Sequence, residues 1–145
     1  VFLPAAARAT GKKSIDDWAL RFPTSVEDVA CVLKLVVDRL MEREFPAVTP
    51  NSDTYHVSSP HGTTKYELVR LQARLMGIPT IRVEEQLMGN SVGPPKNSAP
   101  RPRCTQLDCV ETWEALGLNG EERFEFVSLE KGMERALNGF PERFL

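Results

Sequence analysis

The punctuation of this chain constrains its fold more than any other feature. Three segments of helical period each run into a glycine followed by an apolar residue, at Gly77-Ile78, Gly117-Leu118 and Gly139-Phe140. That is the sequence form of a helix closed by a left-handed residue, with an apolar side chain folded back over the last turn. Pro79 and Pro141 then prevent continuation. Between these stops lie segments whose apolar residues recur every second position, so the chain alternates strand-like and helix-like stretches.

The longest helical pattern runs from Val26 to Arg43. Ser25 with Asp28 three residues later predicts a capping box. Val26, Val29, Ala30, Leu33, Val36, Val37, Leu40 and Met41 follow helical spacing, and Val32 and Leu35 widen the arc, so this helix is expected to be buried over more than one stripe. Thr64 with Glu67 repeats the capping signature before a helix carrying Leu68, Leu71 and Leu75. Shorter helices are expected from Gln106 to Leu116, opened by Thr105 and Asp108, and from Ser128 to Asn138. Strands are expected at Asp17–Phe22, Thr54–Ser58, Thr80–Glu84 and Arg123–Phe126, where apolar and polar residues alternate.

The expected fold class is therefore α/β or compact α+β, a small sheet of about four strands covered by helices. The sequence divides into an extended N-terminal arm, residues 1–13, and a single globular domain, residues 14–145. A Pro-, Gly- and Asn-rich excursion interrupts that domain at 88–104. At 145 residues one core is expected without disulfide staples.

Composition removes several functions. Eighteen basic and 20 acidic residues give a net charge of −2, mixed along the chain, which disfavours a nucleic-acid binder driven by phosphate neutralisation. The longest apolar stretch, Val29 to Val37, is broken by Lys34 and falls far short of the roughly 20 residues a membrane span needs, so no transmembrane segment is expected. Three cysteines, Cys31, Cys104 and Cys109, are too few and too odd in number for a disulfide framework, which points to a reducing compartment. The chain opens at Val1 without an initiator Met and reads as a processed or trimmed product. Its acid-free basic start resembles the end of a targeting segment, giving an organellar, mitochondrial address with the cytoplasm as alternative.

Two resemblances follow from particular residues. Gly77-Ile78-Pro79-Thr80-Ile81-Arg82-Val83 resembles the segment of thioredoxin-like proteins in which a helix ends and a cis-proline opens a central strand. The element order over residues 16–84 and 121–140 looks like that fold too. The resemblance would place the family's redox dithiol just before Val26, where this chain has Phe22-Pro23-Thr24-Ser25, and so implies a scaffold that has lost the chemistry. Val57-Ser58-Ser59-Pro60-His61 looks like the Ser-Pro-His loop of the small-subunit ribosomal protein ten family, matching in that tripeptide alone.

No chemical constellation stands out. Cys104 and Cys109 lie too far apart for a usual zinc pair, and the second pair is missing. His56 and His61 flank Ser58 and Ser59 before Pro60, which reads more simply as a turn than as a nucleophile with its base. The acidic pairs Asp16-Asp17, Glu84-Glu85 and Glu121-Glu122 fall at element ends, where solvation is easy. Neither a dinucleotide fingerprint nor a P-loop occurs, and Gly62-Thr63-Thr64-Lys65 is at most a helix start suited to an anion. No cofactor, metal or catalytic residue is expected, and the chain is not expected to be an enzyme. The positive residues of the two arms, Arg8, Lys12 and Lys13 with Lys96, Arg101 and Arg103, are the candidate partner contacts. The sequence thus reads as a non-catalytic accessory or structural subunit of a larger, organellar assembly, its partners other protein subunits. An RNA-contacting organellar ribosomal protein and a thiol-based redox protein are the alternatives.

Overall fold

The computed structural model describes residues 12–42, 54–94, 97, 99–118 and 124–139. Among these the elements run β1 (Lys13–Asp16), α1 (Val26–Glu42), α2 (Lys65–Leu75), α3 (Thr80–Gln86), β2 (Leu87–Asn90), α4 (Val110–Ala115) and α5 (Leu129–Gly139). The α/β class holds, with one two-stranded parallel sheet among the described residues instead of about four strands. The chain divides into two compact units. One takes in Val1–Arg21, Gly62–Thr105 and Glu130–Leu145, the other Phe22–His61 and Gln106–Leu129.

In the first unit β1 and β2 pair in parallel from Lys13 opposite Leu87 to Asp16 opposite Asn90. Parallel pairing needs a long crossover, and here the chain between the two strands includes α2 and α3. Helix α2 opens on the expected capping box: the Glu67 N–H donates to Thr64 Oγ1 (3.2 Å) and the Thr64 N–H donates to Glu67 Oε2 (2.8 Å). It closes as expected at Gly77, whose φ of +70° only glycine adopts freely, with the Ile78 N–H donating to the Ala73 carbonyl.

The strand expected at Thr80–Glu84 is instead helix α3, with Pro79 as its N-cap. Proline's fixed φ suits a helix start as well as a strand start, and Glu84, Glu85 and Gln86 favour the helix. The alternation is thereby split: Val83 is 7 % exposed and Ile81 67 %. The strand forms one element later, as β2, which begins at Leu87 and runs into the stretch read as an excursion. A thioredoxin-like arrangement requires a central strand after Pro79, so that resemblance fails at the residues that carried it.

The expected strand at Asp17–Phe22 also moves, because Asp16 ends β1. Its Oδ1 accepts from the N–H groups of Trp18 (3.0 Å) and Ala19 (3.1 Å), folding the chain into a turn. Only isolated bridges follow, Leu20 with Cys104 and Arg21 with Thr63.

The second unit is built around α1 and α4. Ser25 caps α1 through the Glu27 N–H (3.2 Å), whereas Asp28 is buried and accepts the Val127 N–H (3.1 Å). The carboxylate read as half of a capping box thus fastens the distant segment 124–128. Val32 (1 % exposed) and Leu116 (2 %) form the buried apolar centre. The helix is not buried over more than one stripe: Val26, Leu33, Val37 and Met41 are all exposed.

Helix α4 starts at Val110, later than expected. Asp108 Oδ1 accepts the Val110 N–H (3.0 Å), and the helix ends at Gly117 as the sequence implies, with the Leu118 N–H on the Trp113 carbonyl. Segments 54–58 and 124–126 form no strand. The His56 N–H donates to Thr112 Oγ1 (2.8 Å), and Phe124 and Phe126 pack on Trp113 and on each other instead of lining a sheet face.

Candidate functional site

In the first unit the turn after β1, the loop after β2 and residues 101–105 surround a cavity of about 410 Å³. Asp16, Trp18, Arg21, Asn90, Arg101 and Thr105 contribute to its walls. Each wall is fastened by main-chain bonds. The Leu20 N–H donates to the Arg103 carbonyl (2.7 Å), Arg21 and Thr63 exchange two bonds of 2.8 Å, and the Asp17 N–H donates to the Asn90 carbonyl (2.9 Å). The Thr105 hydroxyl adds a bond to the Leu20 carbonyl (3.2 Å). Gly93 lies flat against the Trp18 indole, where a Cβ would come within 3.0 Å of the ring, so a larger residue there would displace the indole.

The electrostatics of this cavity are unbalanced. Asp16 is held below the usual carboxylate range, chiefly by the Trp18 N–H, then by the Ala19 N–H and Arg21, against the opposing effect of burial. It remains ionised and already accepts from these donors. Arg21 Nη2 reaches Asp16 Oδ2 at 3.4 Å, a long contact, and Arg21 Nε is buried with no partner among the described residues. Two arginines and, among the described residues, one committed carboxylate thus line the cavity. Such a site suits an anion, because guanidinium forks match phosphate and carboxylate oxygens and a nearby indole offers a flat apolar surface.

The other candidates are placed as follows. Arg8 and Lys96 lie outside the described residues. Lys12 is exposed just before β1, and Lys13 is the first residue of β1 rather than part of an arm. Arg101 and Arg103 are exposed, and only Arg101 lines the cavity. The helix start at Gly62-Thr63-Thr64-Lys65 is filled from within. The Thr63 and Thr64 hydroxyls donate to Glu67 Oε2 (3.1 Å) and Asp17 Oδ1 (2.6 Å), which leaves two carboxylates where an anion would sit.

His56 Nδ1 meets the Asp108 carbonyl (3.2 Å) rather than a serine hydroxyl, and Ser59 Oγ accepts the main-chain N–H of His61 (3.3 Å), as in a turn. Cys109 is partly buried and its thiol is pushed up, mainly by burial, the reverse of an activated thiol. Sequence reasoning missed Trp18 and Arg21 because both fitted a strand's alternation. The available signal was Asp16 two and three residues before Trp18 and Ala19, the spacing of a carboxylate-capped turn.

Comparison with known proteins gives a consistent family. The model described as "RmlD substrate binding domain" matches residues 2–127. Methionine adenosyltransferase 2 subunit beta of Bos taurus is 32 % identical over 111 residues, and that of Xenopus tropicalis 31 % over 112, each alignment covering 77 % of this chain. The mouse protein of the same name is 31 % identical over 111 residues. The chain spans about 30 % of the length of these curated relatives.

These matches overturn the thioredoxin-like resemblance and with it the reading of Phe22–Ser25 as a lost dithiol. They equally displace the accessory subunit of a mitochondrial assembly, the organellar ribosomal protein and the thiol redox protein, since the matched family is none of these. A dinucleotide, which folds of this type imply, needs a glycine-rich turn from a strand into a helix. No such turn occurs within this stretch of sequence, α1 being entered through Pro23-Thr24-Ser25 and α2 through the self-filled Thr64 cap. The chain belongs to the RmlD substrate binding domain family.

Proposed function

We propose that this chain is the ligand-holding segment of a family member that works as a protein subunit, and that the cavity beside β1 takes a phosphorylated ligand of the nucleotide-sugar type. The observation that carries the reading is the presence of Arg21, Arg101 and Trp18 around one cavity whose single carboxylate among the described residues is already satisfied. The guanidiniums match phosphate oxygens and the indole matches a base or sugar face. The relatives are by name subunits of an enzyme, which supports protein partners for this chain and suggests a methionine adenosyltransferase as the first to try.

Holding, rather than chemistry, is the role we infer for these residues. Arginine stays protonated at ordinary pH and so does not serve as an acid or base. Asp16 accepts from several donors and is held ionised below the usual range, which makes it a poor general base.

Calorimetric titration with UDP-glucose tests the reading. Binding weakened about 10- to 100-fold in Arg101→Ala and in Arg21→Ala is expected, the loss of a charge-assisted hydrogen bond to phosphate in each case. Equal binding by both variants and the parent would refute it.

A further inference from the structure

The second unit carries a cavity of different character, about 430 Å³ in volume, within the roughly 300–1,000 Å³ that small-molecule sites occupy. Pro60, Leu107, Val110, Trp113, Phe126 and the partly buried Cys109 line it. Trp113 and Phe126 belong to an aromatic triad. Trp113 stacks on Phe124 with centroids 5.7 Å apart, and Phe126 meets the other two edge-on at 5.8 and 5.0 Å. Leu107 and Val110 are 49 % and 56 % exposed, large apolar side chains held in water at the rim.

Among the described residues, the one charged side chain lining this cavity is Asp108, with Oδ1 occupied by the Val110 N–H. No lysine or arginine among the described residues contributes to the wall, and burial raises the Cys109 thiol above its ordinary value, which favours the neutral form. An apolar aromatic wall with one acidic edge favours a ring without negative charge, because aromatic partners gain from edge and face contacts and an anion would meet Asp108.

We propose that the cavity formed by Trp113, Phe126, Leu107, Val110 and Pro60 is a binding site for a small molecule that carries a planar aromatic ring and no negative charge. It is separate from the arginine-lined cavity and does not depend on the function proposed for that one. Cys109 supplies the reporter and Cys31 and Cys104, both exposed, supply controls in the same chain.

Alkylation by N-phenylmaleimide and by N-ethylmaleimide, followed at each cysteine by peptide mass spectrometry, tests it. In both reactions the thiol sulfur bonds to one carbon of the maleimide double bond and a solvent proton completes the other as the thiol proton is released, and the control cysteines cancel the intrinsic difference in reactivity between the N-phenyl and N-ethyl reagents. The phenyl-to-ethyl rate ratio at Cys109 is expected to exceed that at Cys31 and Cys104 by about three- to tenfold, the range of an aromatic contact. Leu107→Ser combined with Val110→Ser changes exposed rim positions and is expected to bring the Cys109 ratio down to the controls with circular dichroism unchanged. Indole at millimolar concentration is expected to slow N-ethylmaleimide at Cys109, and benzoate to leave it unchanged. Equal ratios at all three cysteines, a Cys109 ratio unmoved by the rim variant, or equal protection by benzoate would each overturn the proposal.

Discussion

The two cavities differ in what holds them open, and the difference separates two ways of building a site. The cavity of the first unit is framed by main-chain hydrogen bonds between β1, β2 and residues 101–105, and its walls carry two arginines. The cavity of the second is framed by the edge-on rings of Trp113 and Phe126 and carries no basic residue among those described. Hydrogen-bonded framing fixes where charged groups stand, which a phosphate requires. Ring packing provides surface and excludes water, which an uncharged ring requires. Each unit also has a small buried centre, Ala73 and Val83 in one, Val32 and Leu116 in the other, so local polar bonds matter to both.

The largest separation of the two is expected from Trp113→Ala. Removing the ring that Phe124 and Phe126 pack against should cost about 3 kcal/mol, read as early loss of amide-exchange protection in α4 and segment 124–128 while β1 and β2 keep theirs. Simultaneous loss in both units would show that they do not unfold separately. Asp28→Ala comes next. It leaves the half-buried Val127 N–H without its acceptor, at a cost of about 1 kcal/mol, measured by urea denaturation.

Thr64→Ala probes the polar framing of the first unit. It removes both the α2 cap and the bond to Asp17 Oδ1, with an expected cost of about 1 kcal/mol and an effect confined to that unit's exchange. The smallest effect is that of pH on Asp16. Its folded pKa lies below the value of the unfolded chain, so its contribution is present above the unfolded value, near pH 4, and is lost as pH falls through the folded one. Asp16→Asn should flatten the drop in melting temperature below pH 4 relative to the parent, and an unchanged slope would dispute the carboxylate's part in the turn.

Much of the helical punctuation was legible in advance, and the strands were not. Thr64 with Glu67, Gly77 and Gly117 work through bonds within a few residues of themselves, and all three form as the sequence implies. Strands depend on distant neighbours. Residues 80–84 alternate correctly and are still a helix, because Pro79 caps it and the following glutamates favour it. Phe124 and Phe126 alternate correctly and pack as a ring cluster, because Trp113 lies beside them.

The candidate site was partly legible. Arg101 was singled out for its charge, but Trp18 and Arg21 were hidden inside a strand pattern that Asp16 interrupts. Asp28 shows the same limit, since its spacing from Ser25 announces a cap and its carboxylate goes to Val127.

The chain has two tryptophans, one in each cavity, and this allows the central claim to be tested by fluorescence. With Trp113→Phe only Trp18 emits, and with Trp18→Phe only Trp113. UDP-glucose is expected to quench or shift the emission of Trp18 saturably, to leave that of Trp113 unchanged, and to lose the effect in Arg101→Ala. No response from Trp18, or an equal response from both indoles, would contradict the assignment of the phosphorylated ligand to the arginine-lined cavity.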